Sequence, residues 1–149
     1  MVDAKFYTKG KLPEYLDVNS YDYFMDNTGF TLNLNSIAAR VDSANYLTGF
    51  NATIDFSPGK KLTVTNLSLQ LPAYNINLKD GFLKVNVLGQ VSEPDKMDVR
   101  VDTIHLALGN SSFSSKLKFK NMKNPVFKAD SRVYIDLDEV SPFIPDTLV

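Results

Sequence analysis

Residues 62–71 read Leu-Thr-Val-Thr-Asn-Leu-Ser-Leu-Gln-Leu, and this stretch decides the fold class. Apolar and polar side chains alternate along it with a period of two, which is typical of a β-strand with one buried face. The alternation slips by one residue between Val64 and Leu67, as it does where a β-bulge inserts an extra residue into a long strand. Pro72 predicts the end of this strand, because proline cannot donate a hydrogen bond to a neighbouring strand.

The same pattern continues toward the C-terminus. We predict a hairpin turn at Asp80-Gly81, since glycine accepts the positive φ of such a turn. A shift of phase between Val101 and Ile104 predicts a second bulge. Polar or proline-containing turns are expected at residues 58–60, 92–96, 109–112 and 124–125. Alternating apolar residues predict the remaining strands, and they are Leu83, Val85 and Val87, then Val99, Val101, Ile104, Leu106 and Leu108, then Leu117 and Phe119, and last Val133, Ile135 and Leu137.

The first 60 residues carry a weaker pattern. Residues 30–34 and 50–56 alternate as strands do, whereas residues 36–44 fit either a short helix or a bulged strand, and we favour the strand. Residues 13–25 contain several aromatic side chains and predict a short helix that covers one end of the sheet.

Long strands joined by short turns predict an all-β, mainly antiparallel fold: a long, curved, meandering sheet, either an open half-pipe or sandwich-like, with at most one or two short helices. The 149 residues fit one domain, 1–149, because no linker or change of composition divides them. The formal net charge of -1 gives no electrostatic argument for a nucleic-acid partner.

Residues that could carry chemistry are few. The chain has no cysteine, and its one histidine, His105, falls on the polar side of a predicted strand. Asp136 and Asp138 share a face but lack the spacing of a calcium loop, and a solvated strand face is favoured. We therefore expect no enzymatic activity, no catalytic residue, no metal site and no cofactor.

The apolar face of the predicted sheet has two interpretations. It can be the core of a filled β-domain that acts in structure or protein interaction, or the lining of an open groove that accepts lipid acyl chains. The expected lining is Leu62, Val64, Leu67, Leu69, Leu71, Ile76, Leu78, Val85, Val87, Val99, Val101, Leu106, Leu108, Leu117, Phe119, Val133, Ile135 and Leu137. Composition alone favours the filled core.

Several stretches carry a resemblance to a known family, and they read LTVTNLSL at 62–69, GFLKV at 81–85, VLGQV at 87–91, VDTIHL at 101–106, KNMKNP at 120–125 and IDLDEVSPFIP at 135–145. Together they resemble the C-terminal portion of the AsmA family of Gram-negative envelope proteins. The resemblance covers a little over half of the chain and includes no catalytic residue.

That resemblance implies a periplasmic fragment of a longer protein that is anchored in the inner membrane. It also implies a part in outer-membrane assembly and integrity or in phospholipid handling, since larger relatives are thought to conduct phospholipids along apolar β-grooves. Phospholipid acyl chains or other envelope proteins are the implied partners. The resemblance therefore favours the open groove.

Lysines form the strongest charge feature of the sequence. Lys116, Lys118, Lys120, Lys123 and Lys128 lie within one short region. They can meet anionic lipid headgroups, or they can line a solvated face and discourage aggregation. The second interpretation is favoured, because acidic residues follow them.

Overall fold

The computed structural model describes residues 1–9, 18–43 and 45–140. Eight strands account for most of these residues. In chain order the elements are β1 (Val2–Thr8), α1 (Val18–Asn27), β2 (Thr28–Arg40), β3 (Tyr46–Ser57), β4 (Lys61–Leu71), a 3₁₀ turn (Pro72–Tyr74), β5 (Ile76–Leu88), β6 (Asp98–Leu108), β7 (Ser111–Lys120), β8 (Val126–Tyr134) and α2 (Leu137–Val140).

The strands form one antiparallel sheet in the order β1-β2-β3-β4-β5-β6-β7-β8, so that every strand pairs with its neighbour in the chain. The predicted meander is confirmed. The sheet is open, because β1 pairs with β2 alone and β8 with β7 alone. The described residues form no second sheet, and the sandwich-like alternative is therefore not what they adopt.

Both predicted bulges are present. The pairing of β4 with β5 shifts register between Val64 and Leu67, where Asn66 has φ 54°. The pairing of β6 with β7 shifts between Val101 and Ile104. Each bulge restores the apolar residues beyond it to the same face of the sheet, which explains why the sequence alternation slips at these two points.

The predicted turn at Asp80-Gly81 is wrong. Both residues lie inside β5, and the reversal before that strand is made by Pro72–Tyr74, after which Asn75 takes φ 52°. Gly81 serves packing instead: a Cβ at this position would lie 2.9 Å from the Cβ of Leu67, which occupies the space above it. The Asp-Gly pair therefore marks a close approach of two strands.

The last strand ends earlier than predicted, at Tyr134. Ile135 lies beyond that strand, and Leu137 begins α2. The reason is local: the Asp136 carboxylate accepts a hydrogen bond from the backbone N–H of Asp138 at 3.0 Å and so starts the helix.

In the N-terminal part, β1 was not predicted. A strand was predicted over residues 36–44, and β2 runs only as far as Arg40. The strand is therefore confirmed over residues 36–40, whereas residues 41–43 form a bend. The predicted helix at 13–25 corresponds to α1 from Val18 onward, while residues 13–17 and 44 lie outside the described residues.

Other elements of the described chain pack against only a small part of the sheet. Among the described residues only Ala52, Leu78 and Val101 are buried apolar side chains. A 149-residue domain with two packed layers would bury many more. The described part of the chain is thus a single layer with α1 against one end.

Candidate functional site: an apolar sheet face

Residues that lie opposite each other in adjacent antiparallel strands share a face of the sheet. One such row crosses all eight strands and consists of apolar residues throughout: Phe6, Phe30, Phe56, Leu62, Val85, Val101, Leu117 and Ala129. We call the side of the sheet that carries this row the apolar face, and the opposite side the polar face.

Further apolar rows lie beside this one. The neighbouring row contains Leu32, Ile54, Val64, Leu83 and Ile104, and the next contains Leu67, Gly81, Leu106, Phe113 and Val133. Alternation along β1–β8 places no charged side chain on the apolar face. The lining is therefore suited to hydrocarbon, since a buried charge without a partner is costly.

The predicted lining residues largely come together. Leu62, Val64, Leu67, Leu69, Leu71, Ile76, Leu78, Val85, Val87, Val99, Val101, Leu106, Leu108, Leu117, Phe119 and Val133 all lie on the apolar face. Ile135 and Leu137 lie outside the strands, and Leu137 is 72% exposed.

Several residues of the apolar face were missing from the predicted lining, and they are Phe6, Phe30, Leu32, Leu34, Phe50, Ile54, Phe56, Leu83, Ile104, Phe113 and Phe127. The alternation of residues 30–34 and 50–56 was the available signal. On this face the rings of Phe30 and Phe56 are stacked at 5.6 Å, and those of Phe119 and Phe127 are tilted toward each other at 5.0 Å.

The apolar face remains partly open to solvent. Most of its side chains are half-buried, and those at the two sheet edges are exposed, with Phe6 at 58% and Phe127 at 56%. A continuous exposed apolar surface of this extent marks a site of interaction or ligand binding. A polar interruption occurs between β7 and β8, where the hydroxyls of Ser115 and Ser131 lie 2.8 Å apart.

Helix α1 closes one end of the apolar face. The ring of Phe24 stacks on Phe6 at 6.3 Å, and the backbone carbonyl of Met25 accepts a hydrogen bond from the N–H of Lys60. The ammonium of Lys60 lies 2.9 Å from the Asp22 carboxylate and 3.2 Å from that of Asp26. An ion-pair cluster thus holds the helix against the turn between β3 and β4.

The Asp22 carboxylate also accepts hydrogen bonds from the backbone N–H of Val91 at 2.8 Å and of Ser92 at 3.2 Å. Burial alone would raise the pKa of Asp22, but these donors and Lys60 outweigh it and hold that pKa well below its ordinary value. Burial likewise would lower the pKa of Lys60, yet hydrogen bonds to Asp22 and Asp26 raise it. Both groups are therefore charged at neutral pH.

A second carboxylate holds the opposite end of the sheet. Glu139 accepts hydrogen bonds from the backbone N–H of Asn110 at 2.6 Å and of Ser111 at 3.0 Å, and so fixes α2 to the turn between β6 and β7. These bonds lower the pKa of the Glu139 carboxyl. Asp136 accepts a bond from the side-chain amide of Asn110 at 3.0 Å.

The remaining polar candidates form no cluster. His105 lies on the polar face, with its Nδ1 2.9 Å from the hydroxyl of Ser114. Within residues 1–9, 18–43 and 45–140, no group of three or more histidine, aspartate or glutamate side chains is placed to hold a metal ion. None of the helices described here is both long and apolar enough to span a membrane.

Comparison of the chain with protein-family models, with curated proteins and with solved structures found no match. The AsmA resemblance therefore remains a prediction from the residues quoted above.

Proposed function

We propose that this domain handles phospholipid by holding acyl chains against its apolar face, as a non-enzymatic module of the bacterial cell envelope. One observation carries the proposal: β1–β8 present a continuous surface without charged side chains, and among the described elements only α1 covers one end of it. Adjacent strands lie about 4.8 Å apart, so eight strands offer a surface about 34 Å wide. An acyl chain held against such a surface is stabilised by the hydrophobic effect, because the contact removes apolar area of both the chain and the sheet from water.

The position of the domain in the periplasm, and its part in outer-membrane assembly or integrity, belong to the same proposal. They rest on the AsmA resemblance of residues 62–145. The curvature that a groove requires is supported by the bulges at Asn66 and between Val101 and Ile104, since bulges bend and twist a strand.

The decisive experiment uses the absence of cysteine from the chain. Val64→Cys and Thr63→Cys place a single thiol on neighbouring residues that face opposite sides of the sheet. Each variant carries an environment-sensitive fluorophore and is mixed with phosphatidylcholine, which has no net charge, bearing a nitroxide in its acyl chain. Quenching at position 64 but not at position 63 is expected. Equal quenching at both positions, or none at either, would contradict the proposal.

A second experiment removes the apolar character without removing β-propensity. The variant with Val64→Thr, Val85→Thr and Val87→Thr keeps β-branched residues on the apolar face but adds three hydroxyls. Lipid that co-purifies with the protein should fall, as measured by mass spectrometry of an organic extract. The control variant with Thr63→Val and Thr65→Val changes the polar face and should retain the wild-type amount.

A protein partner that covers the apolar face is the competing function. It predicts that the purified domain holds no lipid and takes none up, while a defined envelope protein protects position 64 from thiol labelling. That result would replace lipid handling with a structural or interaction role.

A further inference from the structure

A row of cations crosses the polar face near the α1 end of the sheet. Lys61 lies opposite Asn86, Asn86 opposite Arg100, Arg100 opposite Lys118, and Lys118 opposite Lys128. The five residues belong to five consecutive strands, β4–β8. Four of them are cationic and none is acidic. At about 4.8 Å between strands, the row extends about 19 Å.

Equal numbers of cations and carboxylates flank this row. The residues two positions from the row on the same strands lie on the same face, and the charged ones are Lys84, Lys116, Lys120, Asp98, Asp102 and Asp130. We define the cationic patch by its positive members, which are Lys61, Lys84, Arg100, Lys116, Lys118, Lys120 and Lys128. Seven cations thus lie among three carboxylates, in a chain whose formal net charge is -1.

The cationic patch is not neutralised by ion pairs. Within the described part of the chain, ion pairs join Lys60 to Asp22 and Asp26, and Lys96 to Glu93, and no member of the patch takes part. The Asp102 carboxylate instead accepts a hydrogen bond from the side-chain amide of Asn86. Arg100 lies opposite Lys118, which lies opposite Lys128, and like charges directly opposite each other destabilise a sheet. Lys116 and Lys120 lie opposite Asp130 and Asp98, so the unopposed positive charge is concentrated on the row itself.

The shape of the patch favours an extended anionic surface over a small anion. All of its side chains are exposed except Lys118, which is half-buried, and they project from a sheet face that does not enclose a ligand. Carboxylates interspersed among the cations oppose the tight coordination of one phosphate. An extended surface with many negative charges contacts all of the cations at once, so the excess of positive charge over the whole patch attracts it.

We propose that the cationic patch docks the domain on an anionic bilayer surface. The proposal does not rest on lipid binding by the apolar face, since the patch lies on the opposite side of the sheet. The two faces meet at the free edge strand β8, where Phe127 lies on the apolar face and the adjacent Lys128 on the polar face. Lipid that leaves the docked bilayer can reach the apolar face around this edge.

Sedimentation with vesicles tests the docking proposal. The folded domain is mixed with vesicles of phosphatidylcholine alone or of phosphatidylcholine with phosphatidylglycerol. Binding to the anionic vesicles only is expected, with an affinity that falls as salt is raised, because the attraction is screened. The variant with Lys61→Glu, Lys118→Glu and Lys128→Glu should lose at least tenfold in affinity.

The matched control carries Lys5→Glu, Lys9→Glu and Lys79→Glu, which change the net charge equally but lie outside the patch. It should bind as the wild type does. Where circular dichroism shows that the Glu variant does not fold, Lys→Gln at the same three positions takes its place. Equal loss in test and control variants would overturn the proposal, as would binding to neutral vesicles at high salt.

Soluble polyglutamate distinguishes a bilayer from an acidic protein partner. At equal concentration of negative charge it should compete weakly with the anionic vesicles. Binding of polyglutamate in preference to the vesicles would assign the patch to an acidic polypeptide and would also overturn the proposal. Lipid uptake by the apolar face is measured separately at position 64, so either proposal can fail without the other.

Discussion

The buried ammonium of Lys60 lies 2.9 Å from the buried carboxylate of Asp22, and this contact fixes α1 to the end of the sheet. It joins three segments, because Asp22 also binds the backbone N–H groups of Val91 and Ser92 after β5. Lys60 in addition donates to the carbonyl of Gly89 at 3.0 Å. Few apolar side chains are buried in this single-layer sheet, so the polar cluster is an important contact that holds α1 in place at this end.

Asp22→Asn should lower the free energy of unfolding by about 2–3 kcal/mol. The substitution leaves the buried Lys60 ammonium with the partly exposed Asp26 and the Gly89 carbonyl as partners, and removing the buried partner of a buried charge is strongly destabilising. Chemical denaturation monitored by circular dichroism measures the change. Asp26→Asn is the matched control and should cost less than about 1 kcal/mol, because Asp26 is 48% exposed. Equal effects at the two positions would show that Asp22 has no special role.

The stability of the domain should fall in acid. The folded-state pKa of Asp22 lies below its ordinary value of 3.8, so its contribution is present above that pH and is lost as the pH falls toward the folded-state pKa. Lys60 has the opposite sign: its pKa is raised, and its contribution is present below 10.5 and is lost as the pH rises through the folded-state value. Denaturation midpoints of the wild type and Asp22→Asn should therefore converge in acid and stay separated at neutral pH. Parallel curves would contradict this assignment.

How much of this fold the sequence could predict depends on the range of the interactions. The alternation of residues 62–71 and its slip before Leu67 depend on near neighbours in the chain, and both the strand and its bulge were predicted correctly. The Asp22–Lys60 pair was not predicted, because nothing local marks two surface-type residues as partners. The alignment of Lys61, Arg100, Lys118 and Lys128 was not predicted either. It depends on the register of five strands, and each bulge between them shifts that register by a residue whose position the sequence does not fix.

The apolar face shows the same division. Its residues follow from alternation, and most of the predicted lining is placed on it. Whether another layer covers it depends on what packs against the sheet, which periodicity does not encode. The error at Asp80-Gly81 arose because a local turn signal was outweighed by the need for a side-chain-free position beneath Leu67.

Asn66 should tolerate glycine and resist alanine. Its φ of 54° places it in the left-handed region, where asparagine and glycine are accepted and other side chains lose about 1–2 kcal/mol. Asn66→Ala should therefore lower the free energy of unfolding by about 1 kcal/mol or more, and Asn66→Gly by less. Urea denaturation of the two variants measures this order. A more stable alanine variant would mean that the bulge is formed differently.

Gly81 and Leu67 should be energetically coupled. Gly81→Ala brings a Cβ to within 2.9 Å of the Leu67 side chain, and overpacking of this kind costs about 1–3 kcal/mol. Leu67→Ala alone removes apolar contacts but opens the space into which the new methyl group fits. The double variant should consequently be more stable than the sum of the two single effects predicts, by about 0.5–3 kcal/mol. Denaturant unfolding of all four proteins gives this coupling free energy.

Leu69→Ala, on the same strand and face but opposite Leu78, is the control and should combine with Gly81→Ala additively. Additive behaviour of Gly81→Ala with Leu67→Ala would show that the two residues do not pack against each other and would disprove the register of β4 on β5 at this point.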